Sequence, residues 1–217
     1  MGTLMPDNFP GLVQRAAVEF AGTEAISDGD FSCDYAEMGR RINECAAALV
    51  ASGIKAGDAV GVWAPNSWEW VVAGMSVFEA GAVLVPVNTR FKGREAAYIL
   101  EKAKVKLLFT VVGFLGNDYV SDLRNSGAEV DGLDEIVVLR GDTPSGTVSF
   151  EDFLQRSTGD EHEELDRRRY QISGSDLGLV MFTSGTTGLP KGVMVEHAPI
   201  IRSFGHTARE LGMRTGD

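Results

Sequence analysis

The spacing of apolar residues changes several times along the chain. Residues 9–20 and residues 35–49 carry apolar side chains at three- and four-residue intervals, which is typical of amphipathic helices. Between these two segments, Asp28-Gly29 has the composition of a tight hairpin turn. The pattern therefore predicts a helix, a hairpin and a second helix, with Asp34 and Glu37 as the two halves of a capping box at its start.

From Val60 onwards, short and continuously apolar runs alternate with longer amphipathic segments. Such an alternation indicates βαβ units, in which helices cover both faces of a parallel sheet, and so predicts an α/β fold. The predicted strands are Val60–Trp63, Ala82–Val87, Val105–Val112, Ile136–Leu139, the apolar run 177–182 and Lys191–Glu196. The predicted helices are Ser67–Ala80, Gly93–Ala103, Phe114–Asn125, Glu151–Arg156 and His197–Leu211.

Residues 140–176 interrupt this alternation with a polar, charged segment. The run Arg167-Arg168-Arg169 follows five acidic residues in 160–166. Mixed charge of this kind is typical of a solvated face, and we interpret the arginines in that way rather than as a binding patch. The segment is predicted to be a surface excursion and not a domain boundary.

The composition is that of a folded, acidic protein. The 217 residues are 44% apolar, which is enough for a hydrophobic core, and the length suits one large domain or slightly more. Thirty-one acidic residues against 20 basic ones give a net charge of −11, which disfavours binding to nucleic acid or to an anionic membrane. An anionic substrate must therefore be met by local positive charge.

No feature of the sequence indicates export or insertion into a membrane. No basic segment stands at the start of the chain, and Glu69 and Glu79 interrupt the longest apolar stretches. Cys33 and Cys45 do not form a disulfide framework, and Cys45 falls on the apolar stripe of the second helix. We expect a cytoplasmic protein without a membrane span, and its oligomeric state stays open.

The segment Thr183–Gly192 reads Thr-Ser-Gly-Thr-Thr-Gly-Leu-Pro-Lys-Gly and has the composition of a phosphate-binding loop. Its glycines let backbone N–H groups converge on an anion, its hydroxyls add donors, and Lys191 adds a mobile positive charge. No Gly-Lys pair is followed by Ser or Thr, so the loop is not a Walker A motif. A flexible linker is the alternative, but linkers seldom lie between two apolar runs.

The same ten residues resemble the signature loop of the adenylate-forming superfamily, which includes acyl-CoA synthetases, firefly-type luciferases and adenylation domains of peptide synthetases. Residues 63–70 and 81–90 resemble the N-terminal framework of acyl-CoA synthetases, and Trp63, Trp68 and Trp70 within it are predicted to be packing residues. Residues 63–72 and 88–90 are also similar to an actinobacterial subgroup that activates the propionate side chain of degraded steroid rings. General fatty acyl-CoA synthetases share much of this pattern.

The resemblance implies an AMP-forming ligase that uses ATP, Mg²⁺ and coenzyme A on a fatty or steroid-derived carboxylic acid. The loop would stabilise the β- and γ-phosphates of ATP as they leave, and catalytic roles are implied for Lys191 and Thr186. No residue is assigned as a metal ligand. The residues implied to contact the nucleotide are Thr183, Ser184, Gly185, Thr186, Thr187, Gly188 and Lys191.

The resemblance also implies that residues 1–217 form the first part of a large N-terminal domain, with the loop at 183–192. The Tyr-Gly-x-Thr-Glu segment that binds adenine in this superfamily, its Tyr-x-Thr-Gly-Asp ribose segment and its C-terminal lid domain are absent from this sequence. We therefore expect residues 1–217 alone to be inactive, with apolar surface exposed on the last strand and helix.

Two other readings stay open: a non-catalytic nucleotide-binding module, and an amino-acid adenylation domain of a peptide synthetase. The sequence contains no Gly-x-Ser-x-Gly, Gly-x-Gly-x-x-Gly or Cys-x-x-Cys motif, and its three histidines lack metal-ligand spacing. His197 opens the last predicted helix, where capping or packing is expected rather than catalysis.

Substitutions in the loop test whether it binds phosphate. In the complete enzyme, Lys191→Ala and Thr186→Val should each lower the rate of acyl-adenylate formation by about 10²–10³, because each removes a preorganised group from the leaving phosphates. Thermal melting should change little, since exposed positions usually alter stability by less than about 0.5 kcal/mol. Single-turnover kinetics at the wild-type rate for either variant would contradict the assignment.

Overall fold

The computed structural model describes residues 5–128, 130–183 and 189–214, and within these ranges it contains eight helices and ten strands. None of these helices is long and apolar enough to cross a membrane. The helices are α1 Phe9–Glu19, α2 Tyr35–Ala51, α3 Trp68–Glu79, α4 Gly93–Lys102, α5 Tyr119–Arg124, α6 Phe150–Leu154, α7 Asp160–Gln171 and α8 His197–Glu210. The strands are β1 Glu24–Asp28, β2 Phe31–Asp34, β3 Ala59–Trp63, β4 Val83–Pro86, β5 Val105–Phe114, β6 Asn117–Asp118, β7 Glu135–Arg140, β8 Val148–Ser149, β9 Leu177–Thr183 and β10 Lys191–Glu196.

Most of the strands form one sheet in the order β10-β9-β4-β3-β5-β7-β8, and the neighbouring strands from β9 to β8 are parallel. The predicted parallel sheet is therefore confirmed. The edge strand β10 differs because it runs antiparallel to β9, and β6 pairs antiparallel with β5. Only seven residues separate β9 from β10, which suits a hairpin but is too short for the crossover that a parallel partner requires.

Helices cover both faces of the sheet, as the alternation of side chains along β5 shows. A Cβ atom at Gly61 of β3 would lie 3.0 Å from the Leu108 side chain and 3.1 Å from that of Leu100 in α4, so both leucines are on that face, whereas Phe109 contacts Phe150 and Phe153 of α6 edge to face. Consecutive strand residues point to opposite faces, so α4 and α6 lie on opposite sides. Leu107, Leu108 and Phe109 of β5 are all buried, as expected for an apolar strand that is covered on both faces.

The N-terminal elements confirm the predicted helix, hairpin and helix. Strands β1 and β2 pair antiparallel around Asp28-Gly29, and Gly29 has the positive φ of 62° that this turn needs. The Asp34 carboxylate caps α2 by accepting the Glu37 N–H at 2.8 Å. The Glu37 carboxylate forms ion pairs with Arg40 and Arg41. Cys45 is fully buried in α2, as predicted.

The prediction of one helix over Phe114–Asn125 is wrong in its first half. Strand β5 continues to Phe114, and Leu115 and Gly116 then turn the chain with positive φ angles of 51° and 76°. The helix begins only at Tyr119, because the Asp118 carboxylate accepts the Ser121 N–H at 3.0 Å and so caps the first turn.

The short helix predicted at Glu151–Arg156 is present as α6, but the prediction that the rest of 140–176 is a surface excursion is wrong, because it contains β8 and the 12-residue helix α7. Leu165 of α7 is fully buried. The Arg168 side chain is only 11% exposed and donates to the carbonyl oxygens of Ile54 and Ala80 at 3.0 and 2.8 Å. Ala80 is the C-cap residue of α3, where helices have unpaired acceptors, and Ile54 lies in the turn that follows α2.

The interpretation of the arginine run as a solvated face holds only for Arg167, whose side chain is 69% exposed. Arg169 is largely buried, and it pairs with Glu79 of α3 and bonds the Asn43 side chain of α2. Burial raises the pKa of the Glu79 carboxyl, and the Arg169 guanidinium opposes that shift. The run therefore fastens α7 onto α2 and α3, and periodicity alone could not reveal contacts so distant in sequence.

Arg167 and Arg168 provide a matched test of how α7 is held against α2 and α3. Arg168→Ala should lower the free energy of unfolding by about 1–3 kcal/mol, because the carbonyls of Ile54 and Ala80 lose a charged donor. Arg167→Ala should change it by less than about 0.5 kcal/mol, since that side chain is mainly solvated. Denaturant unfolding measures both values, and equal effects of the two substitutions would contradict the role of Arg168.

Candidate functional site

The carboxyl ends of β3, β4 and β9 open onto a cavity of about 810 Å³. Ligands of open α/β sheets bind outside this edge of the strands, where the connecting loops diverge. Of the described residues, Arg90 is the one charged side chain in its wall. The lining residues are Ala64, Pro65, Asn66, Trp70, Pro86, Val87, Asn88, Thr89, Arg90, Phe91, Met181, Phe182 and Thr183.

The β9–β10 hairpin brings the two ends of the predicted loop together. Thr183 pairs with Lys191 at the end of the ladder, and Thr183 also lines the cavity. Lys191 is exposed at the start of the edge strand. The other predicted nucleotide contacts, Ser184, Gly185, Thr186, Thr187 and Gly188, lie outside the described residues. Their assignment therefore stays a prediction.

The two faces of the hairpin have different surroundings. Paired residues of an antiparallel ladder point to the same side, so Thr183 and Lys191 share a face, and Phe182 and Gly192 share the other. A Cβ atom at Gly192 would lie 3.2 Å from the Phe182 ring. Glycine at the end of Pro-Lys-Gly thus leaves room for an aromatic ring of the opposite strand.

Two buried aromatic side chains hold the loop that carries Arg90. The Trp63 indole N–H donates to the Asn88 carbonyl at 3.2 Å, and the Tyr119 hydroxyl donates to the Thr89 carbonyl at 3.0 Å. The two rings stack with centroids 4.4 Å apart. The Asn88 side-chain oxygen accepts the Arg90 N–H at 2.9 Å, which closes the turn. Arg90 is therefore presented to the cavity from a fixed backbone.

The three tryptophans are packing residues, as predicted, but they contribute differently to the site. Trp63 also supports the loop at Asn88. Trp68 stacks on Phe31 with centroids 4.3 Å apart, away from the cavity, whereas Trp70 forms part of the cavity wall. The N–H of Trp70 is accepted by the Ser67 hydroxyl at 3.3 Å, so the cap that begins α3 also fixes this wall.

Sequence reasoning missed Arg90 as a site residue. The signal was present in Asn88-Thr89-Arg90, a turn sequence directly after an apolar strand, which predicts side chains at the carboxyl edge of the sheet. His197 is only 2% exposed and lies at the opposite end of the hairpin, which agrees with the predicted packing role. Among the residues that the structure describes, no group of three His, Cys, Asp or Glu residues could hold a metal ion.

Comparison with known proteins identifies the family. Residues 13–216 match the family described as AMP-binding enzyme, so the chain belongs to that family. It is 41% identical over 199 residues to a 3-(7a-methyl-1,5-dioxo-octahydro-1H-inden-4-yl)propanoyl:CoA ligase of Rhodococcus jostii, covering 90% of this chain and 38% of the relative. A Mycobacterium tuberculosis ligase of the same name is 32% identical over 188 residues, covering 87% of this chain and 36% of the relative.

A solved structure agrees with this fold. A long-chain-fatty-acid-CoA ligase from Archaeoglobus fulgidus superposes with a TM-score of 0.76 at 23% identity, over 100% of this chain and 42% of that chain. Identity at this level supports the shared fold alone. The chain spans less than two fifths of the length of the two curated relatives.

The cavity wall offers a direct test of its charge. Arg90→Ala should weaken binding of ATP or another phosphate-bearing ligand about tenfold or more, because a hydrogen bond to a charged group contributes about 1.5–3 kcal/mol. Arg94→Ala is the matched control, since Arg94 is an exposed arginine of α4 that does not line the cavity. Equilibrium binding titrations measure the ligand affinity of both variants. Equal losses of affinity would show that the net charge of the protein, and not the position of Arg90, determines binding.

Proposed function

We propose that the complete protein carrying this chain is an ATP-dependent acid–thiol ligase. It adenylates a carboxylic acid with release of pyrophosphate, and it then transfers the acyl group to the thiol of coenzyme A. The observation that carries this proposal is the pairing of Thr183 with Lys191 beside a cavity at the carboxyl edge of the sheet. This arrangement brings a hydroxyl and a cation to one region of the sheet edge.

The charge distribution supports an anionic ligand at this edge. The protein has a net charge of −11, yet Arg90 and Lys191 both lie at the edge of the sheet where the parallel strands end, Lys191 because its strand runs antiparallel. An oxygen of the acid attacks the α-phosphorus, and the bond from that phosphorus to the bridging oxygen of pyrophosphate breaks. Cations and N–H groups near the leaving phosphates stabilise the charge that develops there.

Three reactants are implied by this function: ATP, coenzyme A and the acid. Mg²⁺ would accompany the phosphates of ATP and supply Lewis-acid chemistry there. The described residues offer no carboxylate cluster for it, so no step is assigned to the ion. The part of the work that falls to this chain is to bind the phosphates at 183–192 and to fix Arg90 through Trp63 and Tyr119. A cytoplasmic location stays a prediction.

For the acid, we propose a propionate-type side chain on a fused-ring, steroid-derived skeleton. The support is the similarity to two relatives whose names specify such a propanoyl group, at 41% and 32% identity. The cavity wall is compatible with an apolar skeleton that carries a charged group, because Trp70, Phe91 and Met181 line the same cavity as Arg90. Fatty acids are the competing class of substrate.

Pyrophosphate exchange tests the proposed function. With the complete gene product, labelled pyrophosphate should enter ATP when a ring-bearing propionate is supplied, because adenylation is reversible until the thiol reacts. The panel of acids should also contain medium- and long-chain fatty acids and the common amino acids. Lys191→Ala serves as the matched inactive variant in the same assay.

Each outcome of this panel selects one reading. Exchange with fatty acids alone would overturn the steroid-derived substrate but keep the ligase. Exchange with an amino acid would favour a peptide-synthetase adenylation domain. ATP binding without exchange on any acid would indicate a non-catalytic nucleotide-binding module.

A further inference from the structure

His197 lies where four parts of the fold meet, at the end of the β9–β10 hairpin opposite to Thr183 and Lys191. Its ring contacts Phe9 of α1 and Phe78 of α3, with centroids 5.6 and 5.4 Å away. A Cβ atom at Gly178 in β9 would lie 3.2 Å from the same ring. The imidazole therefore fills the space between two helices and the base of the hairpin.

Hydrogen bonds join the same parts. The N–H of Phe9 donates to Nδ1 of His197 at 3.4 Å, and the Asn8 side chain donates to the Ile172 carbonyl at 3.0 Å. The N–H groups of His197 and Ala198 donate to the carbonyls of Asp176 and Gly174 at 3.1 and 2.8 Å. We call this arrangement, formed by residues 8–9, 172–178 and 197–198, the hairpin clasp.

The clasp takes the place of an ordinary helix cap. The side chain of Glu196 makes no capping hydrogen bond to α8, so the first N–H groups of that helix use the carbonyls of the 174–176 turn. In the same way, Nδ1 of His197 satisfies an N–H in the first turn of α1. The edge strand β10, which is exposed over most of its length, is thus fixed at its base by two helix starts.

This geometry requires a neutral imidazole. Nδ1 accepts a hydrogen bond, so the ring hydrogen of the neutral form is on Nε2. A second proton would place an N–H donor against the Phe9 N–H donor and bury a charge between Phe9 and Phe78. The protonated ring must therefore move, and the bond to α1 must break.

Three charged groups face the ring from the surrounding elements. Asp176 in the turn and Asp7 before α1 favour protonation, whereas Arg168 of α7 lines the same 320 Å³ cavity with opposite charge. Burial outweighs the two carboxylates and lowers the pKa of His197. The unfolded state then binds the proton more readily, so this contribution to stability is complete above about pH 6.5 and is lost as the pH falls below it.

We propose that His197 is a positioning residue: its neutral ring holds the base of the β9–β10 hairpin against α1, and protonation releases the clasp and misplaces the phosphate-binding end. This role rests on the proposed function, because it concerns how the hairpin is held for ATP. It goes beyond that function by making ATP binding depend on a group at the far end of the strands.

The test compares two substitutions at His197 in the complete gene product. His197→Asn places an amide oxygen near the position of Nδ1 and cannot be protonated, and His197→Phe keeps a ring but has no acceptor. His206→Asn is the matched control, because His206 is an exposed histidine of the same helix. ATP affinity is measured by calorimetry at about pH 7.5 and about pH 5, the lower value lying well below the ordinary histidine pKa of about 6.5 because burial lowers the pKa of His197.

The wild type and His206→Asn should lose at least about threefold more affinity at the lower pH than His197→Asn does, because only they carry the titrating ring. ATP protonation affects all variants alike and cancels in this comparison. His197→Phe should bind weakly at both pH values. An equal loss in the wild type and in His197→Asn would overturn the proposal.

Amide hydrogen exchange of the wild type gives a second readout that requires neither ATP nor a variant. Protection of the Phe9, His197 and Ala198 amides, corrected for intrinsic rates, should fall at the lower pH, while the amides of β3 and β5 stay protected. Unchanged protection of the clasp would overturn the proposal even if the variants fail to fold. If ATP binds but no acid supports pyrophosphate exchange, the proposed ligase function is contradicted. The proposed role of His197 in holding the hairpin would not be affected by that result.

Discussion

The pairing of β9 with β4 is the constraint on which the candidate site depends. It adds the hairpin to a sheet whose central strands β3, β4 and β5 are buried on both faces, and it aligns Thr183 with the carboxyl edge where the cavity opens. Among the strands that the structure describes, the hairpin pairs with a neighbour on one side only, and β10 forms the exposed edge. Its position is therefore determined by β4 along one side and by the contacts of His197 at its base.

This arrangement separates a rigid part of the site from a part that is held more weakly. The loop at Asn88–Arg90 rests on stacked, buried rings, and such contacts resist local opening. Strand β10 and the later turns of α8 expose large apolar side chains, including Met194 and Phe204. The exposed apolar surface expected on the last strand and helix is thus present in the described residues, and surfaces of this kind bind other protein segments or promote association.

Much of the fold could be predicted from the sequence, and particular residues show why the rest could not. Continuous apolar runs such as Val60–Trp63 predicted buried strands, and Asp34 predicted the start of α2. Helix α7 was missed because a single buried residue, Leu165, and arginine contacts with distant carbonyls hold it, and neither produces a periodic pattern. For Arg90 the local turn sequence could have indicated a place at the carboxyl edge, but the contacts that fix its loop come from Trp63 and Tyr119, which are remote from it in sequence.

The central claim is that the phosphates of ATP bind at the end of the hairpin where Thr183 pairs with Lys191, with the rest of the ligand in the adjoining cavity. A crystal structure of the complete protein with a non-hydrolysable ATP analogue tests it most directly. The account predicts phosphate oxygens within hydrogen-bond distance of groups in 183–192, and the nucleotide against the wall that contains Trp70 and Arg90. Phosphates bound at another edge of the sheet, with residues 183–192 free of contact, would contradict it.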